Sequence, residues 1–281
     1  MNDIRFVTGT WYGEDVTKTF DPLPVRRTKG KARPADETNA VAFAQTQLGF
    51  VPDAKQTEVL LSNAKRGILN CCRQWGKSTV AAAKALHRAY TRPGCLVLVA
   101  SPSERQSAEF LRKASGLVRK LGIRPRGDGD NAISLLLPNG SRIVGLPGSE
   151  ATIRGFSAVS LILIDEASRV ADDLYSALRP MLAVGDGDLW LMSTPWGQRG
   201  FFYESWRDGG EEWYRVSVKA TECERISGAF LDAERRTMDS ARFSQEYMCE
   251  FTVDGTEYFD KQTIDDAYDE SVTELNINGY R

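Results

Sequence analysis

The sequence predicts an α/β protein built on a doubly wound, mainly parallel sheet, and three observations carry that expectation. From Asn39 onward, short apolar runs alternate with longer amphipathic segments, as strands joined by crossover helices require. Leu161-Ile162-Leu163-Ile164 is apolar at every position, the pattern of a strand covered on both faces. Gly76-Lys77-Ser78-Thr79 lies between a predicted strand and a predicted helix.

In chain order, residues 67–71 read as a strand, 77–90 as a helix, 95–100 as a strand and 103–121 as a helix. Segments 132–137 and 142–146 flank Pro138-Asn139-Gly140, whose Asn-Gly step signals a hairpin. The buried strand 161–164 follows, then a helix over 171–183 and a strand over 188–192. Beyond Gly200 the pattern is mostly helical, most clearly over 228–238 and 240–247. Four segments are expected: an arm over 1–38, a core over 39–199, a small helical lid or linker over 200–253, and the start of a linker over 254–281.

A chain of 281 residues with 42% hydrophobic content can bury a sizeable core, which excludes a disordered protein. The formal net charge of −2 lacks the global basicity of a dedicated nucleic-acid binder, so any DNA contact must be local or shared among subunits. Cys71, Cys72, Cys95, Cys223 and Cys249 show no disulfide framework, and the single His87 leaves little material for a zinc site. A reducing cytoplasm is the natural reading. No apolar run approaches a membrane span and residues 1–10 carry no signal pattern, so a soluble intracellular protein with no membrane partner is expected. Arg26, Arg27, Lys29, Lys31 and Arg33 cluster among helix breakers, as a flexible basic arm or equally as a solvated tail.

Gly76-Lys77-Ser78-Thr79 has the make-up of a phosphate-binding loop. A bare Gly-Lys-Ser/Thr arises by chance in roughly one chain in ten of this length, so the strand-loop-helix context carries the weight. Backbone N–H groups at a helix N-terminus hold phosphates, Lys77 neutralises β/γ charge and the Ser78 hydroxyl ligates Mg²⁺. Arg73 adds a second cation, and Gln74, Trp75 and Thr79 complete the loop. Cys71 stands where the usual pattern has its first glycine. The competing reading is an ordinary Gly-Lys helix start.

Asp165 and Glu166 follow the apolar strand at its C-terminal end, the edge where open α/β sheets bind ligands. Asp165 would hold Mg²⁺, directly or through water, and Glu166 would polarise the water attacking a γ-phosphate. Alternatively the pair caps a helix. Ser193 and Thr194 end the next strand and could sense the γ-phosphate. Gln56, shortly before the first strand, carries an amide that could read adenine's edge. The expected class is a P-loop NTPase, RecA-like (ASCE), with ATP and Mg²⁺ as cofactors.

Taken together, Gln56, Arg73-Gln74-Trp75-Gly76-Lys77-Ser78, Leu163-Ile164-Asp165-Glu166-Ala167 and Ser193-Thr194-Pro195 resemble the N-terminal ATPase domain of the large terminase subunit of tailed bacteriophages and prophages. The resemblance covers about residues 51–259, and an arginine-led P-loop lacking its first glycine is characteristic of the family. It implies an ATP-driven motor that moves double-stranded DNA into a procapsid. The partners implied are the portal protein, the small terminase subunit and further copies in a homo-oligomeric ring, in the host cytoplasm. It also implies an arginine finger reaching a neighbour's ATP, for which Arg154, eleven positions before Asp165, is the candidate beside the catalytic Lys77 and Glu166. Without the family, a surface salt bridge describes Arg154 equally well.

The segment from Phe201 to Trp206, with the helices through Phe251, resembles the family's lid. Members normally continue into an RNase H-like nuclease domain, whereas this sequence stops at Arg281. Asp254, Asp260, Asp265, Asp266 and Asp269 do not sit on apolar strands as a two-metal site requires, so nuclease activity is not expected. Two other functions compete: a helicase-like ATPase that remodels nucleic acid, and an assembly subunit that binds nucleotide without turnover. Intact Lys77, Asp165 and Glu166 argue against the second.

Overall fold

The structure, a computed structural model, describes residues 39–148, 153 and 155–252. The basic cluster before Asp36, Arg154 and the carboxylates from Asp254 to Asp269 lie outside these residues. The strands are β1 (Arg66–Cys71), β2 (Leu96–Ala100), β3 (Ser134–Leu136), β4 (Arg142–Gly145), β5 (Leu161–Asp165), β6 (Asp188–Ser193) and β7 (Trp213–Val218). They form one sheet in the order β3-β4-β2-β5-β6-β1-β7. Neighbours run parallel except in the β3–β4 hairpin, where the Asn-Gly step was expected to turn the chain.

The helices are α1 (Ala40–Thr46), α2 (Ala54–Leu61), α3 (Lys77–Thr91), α4 (Glu104–Lys120), α5 (Asp172–Leu178), α6 (Gly200–Arg207), α7 (Gly228–Thr237) and α8 (Ser240–Met248). Successive side chains of a strand point to opposite faces, so a strand apolar throughout must feed two cores. Leu69, Val97, Val99, Leu161, Leu163, Trp190 and Met192 enter one core with α1–α4, α7 and α8. Ile68, Leu98, Ile162, Ile164, Leu189 and Leu191 enter the other, with α5 and α6. The sheet is therefore covered on both sides, which is the doubly wound arrangement.

Inside the first core, Gly67 of β1 pairs with Trp190 of β6, and a Cβ at Gly67 would stand only 2.4 Å from the indole ring. The indole uses that space, donates Nε1–H to the Ala64 carbonyl at 3.2 Å, and lies 4.3 Å from the Lys84 ammonium.

Two elements depart from the sequence expectation. The helix over 171–183 stops at Leu178 and continues as a 3₁₀ turn, Arg179–Leu182, because Pro180 has no N–H to carry the α-helical ladder. Residues beyond Gly200 are not mostly helical throughout: Trp213–Val218 is the edge strand β7, parallel to β1 over six residue pairs. Its aromatic and β-branched content was the available signal.

Candidate functional site

Strands β5, β6 and β1 are adjacent and end at the same sheet edge, and the residues after them build the site. The register sets Asn70 of β1 beside Ser193 of β6, and Met192 of β6 beside Asp165 of β5. From β1 the chain enters a loop over 72–76 and then α3. Gln74 (φ 64°) and Gly76 (φ 102°) are left-handed. At Gly76 glycine is required twice over, by that backbone and because a Cβ would stand 3.0 Å from the Gln56 Nε2.

Cys71 occupies the position of the absent glycine without strain. It is still part of β1, pairs with Val218 of β7, and directs its Sγ to the Val216 carbonyl at 3.8 Å. The turn comes later, at Gln74 and Gly76, so no glycine is needed there. Burial pushes the Cys71 thiol well above its usual range, which keeps it neutral.

The Lys77 side chain is buried, and its Nζ donates to the carbonyls of Cys71 and Cys72, each at 2.9 Å. Ser78 Oγ donates to Asp165 Oδ2 at 2.9 Å. Burial, and then the neighbouring Glu166, raise the Asp165 carboxyl above its ordinary value, against the opposing pull of Ser78 and Lys77. Glu166 takes a left-handed backbone (φ 53°, ψ 42°) that swings the chain out of the sheet. Its carboxylate meets Arg169 Nη1 at 3.4 Å. The N–H groups of Lys77 and Ser78, the first two of α3, have no intrahelical carbonyl to bond.

Ser193 Oγ lies 2.7 Å from Ser168 Oγ, and Ser168 also donates to the Thr194 carbonyl at 2.8 Å. Ser193 is thus tied beneath the 3₁₀ turn Ala167–Arg169, while Thr194 Oγ1 accepts from Arg169 at 3.4 Å. Thr79 donates its N–H to the Gly76 carbonyl at 3.0 Å.

Gln56 is fully buried, and its amide is committed to the chain. Oε1 accepts from the Asp53 N–H at 3.1 Å, completing the capping box of α2, and Nε2 donates to the Trp75 carbonyl at 2.9 Å. In this structure both ends of the amide bond to the chain, so Gln56 braces the loop through the Trp75 carbonyl. The Trp75 indole is buried in the core, so this residue meets the site through its backbone. Main-chain bonds tie the loop's start elsewhere, from the Cys72 N–H to Val218 at 2.9 Å and from the Arg73 N–H to Glu246 at 3.0 Å. The exposed Arg73 side chain holds its Nε 3.5 Å from Glu246 Oε2.

Three residues that border the candidate site escaped the sequence reading. Arg225 donates to Asp53 Oδ2 at 3.1 Å and to the Trp75 carbonyl. Arg169 and Glu246 line, with Arg73, Glu166, Thr194 and Trp196, a cavity of about 610 Å³ beside the loop. Arg169 had a faint signal in its i,i+3 spacing from Glu166; the other two lie far along the chain with no motif around them.

A family model described as "Terminase large subunit, T4likevirus-type, N-terminal" matches residues 68–266. Among curated proteins, the terminase large subunit of Thermus virus P23-45 is 27% identical, over 83% of this chain and 56% of its own length. That of Escherichia phage T5 is 25% identical, over 76% and 51%. The chain thus spans about half the length of these relatives. Among solved structures, the Thermus phage P74-26 large terminase ATPase domain superposes with a TM-score of 0.67 at 22% identity, covering 79% of this chain and all of that one. The large terminase of a thermophilic bacteriophage, solved in complex with ADP, superposes at 0.59 with 11% identity, covering 78% of this chain and 53% of that one. With the family match extending over more than half of its length, the chain belongs to the terminase large subunit family and carries that family's N-terminal domain.

Proposed function

We propose that this chain hydrolyses ATP and, as the motor domain of a DNA-packaging terminase, drives double-stranded DNA into a procapsid. The observation that carries the catalytic part is the 2.9 Å hydrogen bond from Ser78 to Asp165, which joins the start of α3 to the end of β5 with Lys77 and Glu166 on either side. A hydroxyl and a carboxylate form the hard-oxygen pair that Mg²⁺ accepts when phosphates and water complete its shell. Bound there, Mg²⁺ would neutralise charge on the β- and γ-phosphates. Two neutral carbonyls compete weakly with phosphate for an ammonium, so Lys77 can exchange them for phosphate oxygens.

Glu166 leaves the strand in a direction of its own and is assigned the attacking water. Gln56 and Arg225 fix the loop through the Trp75 carbonyl. The thermophilic-phage terminase solved with ADP, and again with ATP-γ-S, supports a nucleotide here. Portal protein, small terminase subunit and ring neighbours are the proposed partners, with Arg154 of one copy acting at the ATP of the next.

Phosphate release by wild type, Glu166→Gln and Lys77→Ala tests the assignment. Glu166→Gln should retain ATP binding and lose turnover by at least ~100-fold, as removal of a positioned base does; turnover at the wild-type rate would sink the proposal. Mixing Arg154→Ala with Glu166→Gln should restore part of the activity, since each supplies what the other lacks. Full activity of Arg154→Ala alone would remove that residue from the mechanism.

A further inference from the structure

We propose that Arg169 is a positioning residue that aims Glu166 and couples it to α8 through Glu246, an inference resting on Glu166 acting on the attacking water. Four segments of the chain converge on its guanidinium. Nη1 lies 3.4 Å from Glu166 Oε2 and 3.4 Å from Thr194 Oγ1, Nη2 lies 3.6 Å from Glu246 Oε1, and the group sits 4.6 Å from the centre of the Trp196 ring. They are the turn after β5, the hydroxyl-bearing end of β6, the indole that follows it, and α8.

Glu166 stands just outside the regular sheet on a left-handed backbone, so the direction of its carboxylate is set by what it meets, and it meets Arg169. Glu246 is buried on α8, and its Oε2 has no hydrogen-bond donor although Arg73 Nε lies 3.5 Å away. A buried carboxylate so poorly served depends for its compensation on Arg169 and Arg73, of which Arg169 is the less exposed. One cation therefore divides itself between Glu166 and Glu246. Its contacts are long, between 3.4 and 3.6 Å, and such contacts exchange at little cost. When α8 shifts, the share of Arg169 available to Glu166 changes with it, which links water activation to the segment the family resemblance assigns to the lid. A planar fork that serves two carboxylates, a hydroxyl and an indole face at once cannot be replaced by the single point charge of lysine.

The test uses the full chain with double-stranded DNA and measures kcat, KM and equilibrium ATP affinity for Arg169→Gln, Arg169→Lys, Glu246→Gln and the double variant Arg169→Gln/Glu246→Gln. Loss of Arg169 should lower kcat by up to ~100-fold, as misplacement of a reacting group by about an ångström does, with ATP affinity within about twofold of wild type. Lysine should not rescue it. The double variant should be no slower than Arg169→Gln, because both changes act along one path. A kcat within twofold of wild type, a parallel fall in affinity, or additive losses would overturn the coupling.

Hydrogen exchange over α8 supplies a readout independent of turnover. ATP-γ-S should alter its protection in wild type and not in Arg169→Gln, and an unchanged response in the variant also overturns the inference. If Glu166→Gln turns over normally, the functional reading itself is wrong. If Glu166→Gln is inactive while every Arg169 variant is fully active, this inference alone fails.

Discussion

Gly67 and Lys84 show how single positions away from the sheet edge that carries the candidate site decide stability. At Gly67 the Trp190 indole occupies the volume a methyl group would need, so Gly67→Ala must displace a large ring from a packed core. Overpacking of this kind costs about 1–3 kcal/mol. A thermal or urea melt should register that loss, and an unshifted midpoint would show that the indole has room to move. Lys84 is buried against the same ring and donates to the carbonyls of Val59 and Ser62 at 3.0 and 2.9 Å. Burial, aided by Arg88, lowers its ammonium to about 8, below the ordinary lysine value of 10.5. Between those two values the unfolded chain binds the proton and the folded chain does not, so stability from this group rises with pH across that window. Relative to Lys84→Met, the wild type should therefore gain stability from pH 8 toward 10.5, measured as the difference between two denaturant titrations; a constant difference would refute the assignment.

At the scale of elements, α2 and the loop over 72–76 act as a unit. The capping box of α2 holds Gln56 rigidly, and Gln56 in turn holds the carbonyl of Trp75, next to the left-handed Gly76. Gln56→Ala should weaken ATP and GTP binding alike, because it loosens the loop and leaves base recognition untouched. A loss confined to ATP would restore a base-reading role to this residue. The elements flanking that loop were legible in the sequence because their signals are local: an apolar run, then Gly-Lys-Ser-Thr, then an amphipathic stretch. Leu161-Ile162-Leu163-Ile164 was equally plain. By contrast, β7 is half-exposed, and what makes it a strand is its pairing with β1, well over a hundred residues earlier. The helix after Ala171 was overextended because its apolar period continues past Pro180, where the hydrogen-bond ladder cannot.

For the whole molecule, three neighbouring strand ends bring together side chains from Lys77 to Thr194, and a ligand that spans them binds the folded state alone. At a hundred times its dissociation constant, such a ligand stabilises the fold by about 2.7 kcal/mol. Mg-ATP should raise the melting temperature of the wild type by the corresponding amount and leave that of Lys77→Ala nearly unmoved; an equal shift in both would place the nucleotide elsewhere. The candidate site was legible in proportion to how compactly its residues are written. Lys77, Ser78, Asp165 and Glu166 sit in contiguous motifs, whereas Arg225 and Glu246 enter only because β7 and α8 fold back beside β1.

The backbone bonds at the start of the loop have a mechanical meaning. Cys72 is stitched to Val218 and Arg73 to Glu246 by peptide groups, which every substitution except proline preserves. Tension applied at α8 would reach the Lys77 loop through the Arg73–Glu246 bond, and tension applied at β7 through the Cys72–Val218 bond, each a short, sequence-independent strut. A link made in this way tolerates drift of its side chains, because it is written in the main chain.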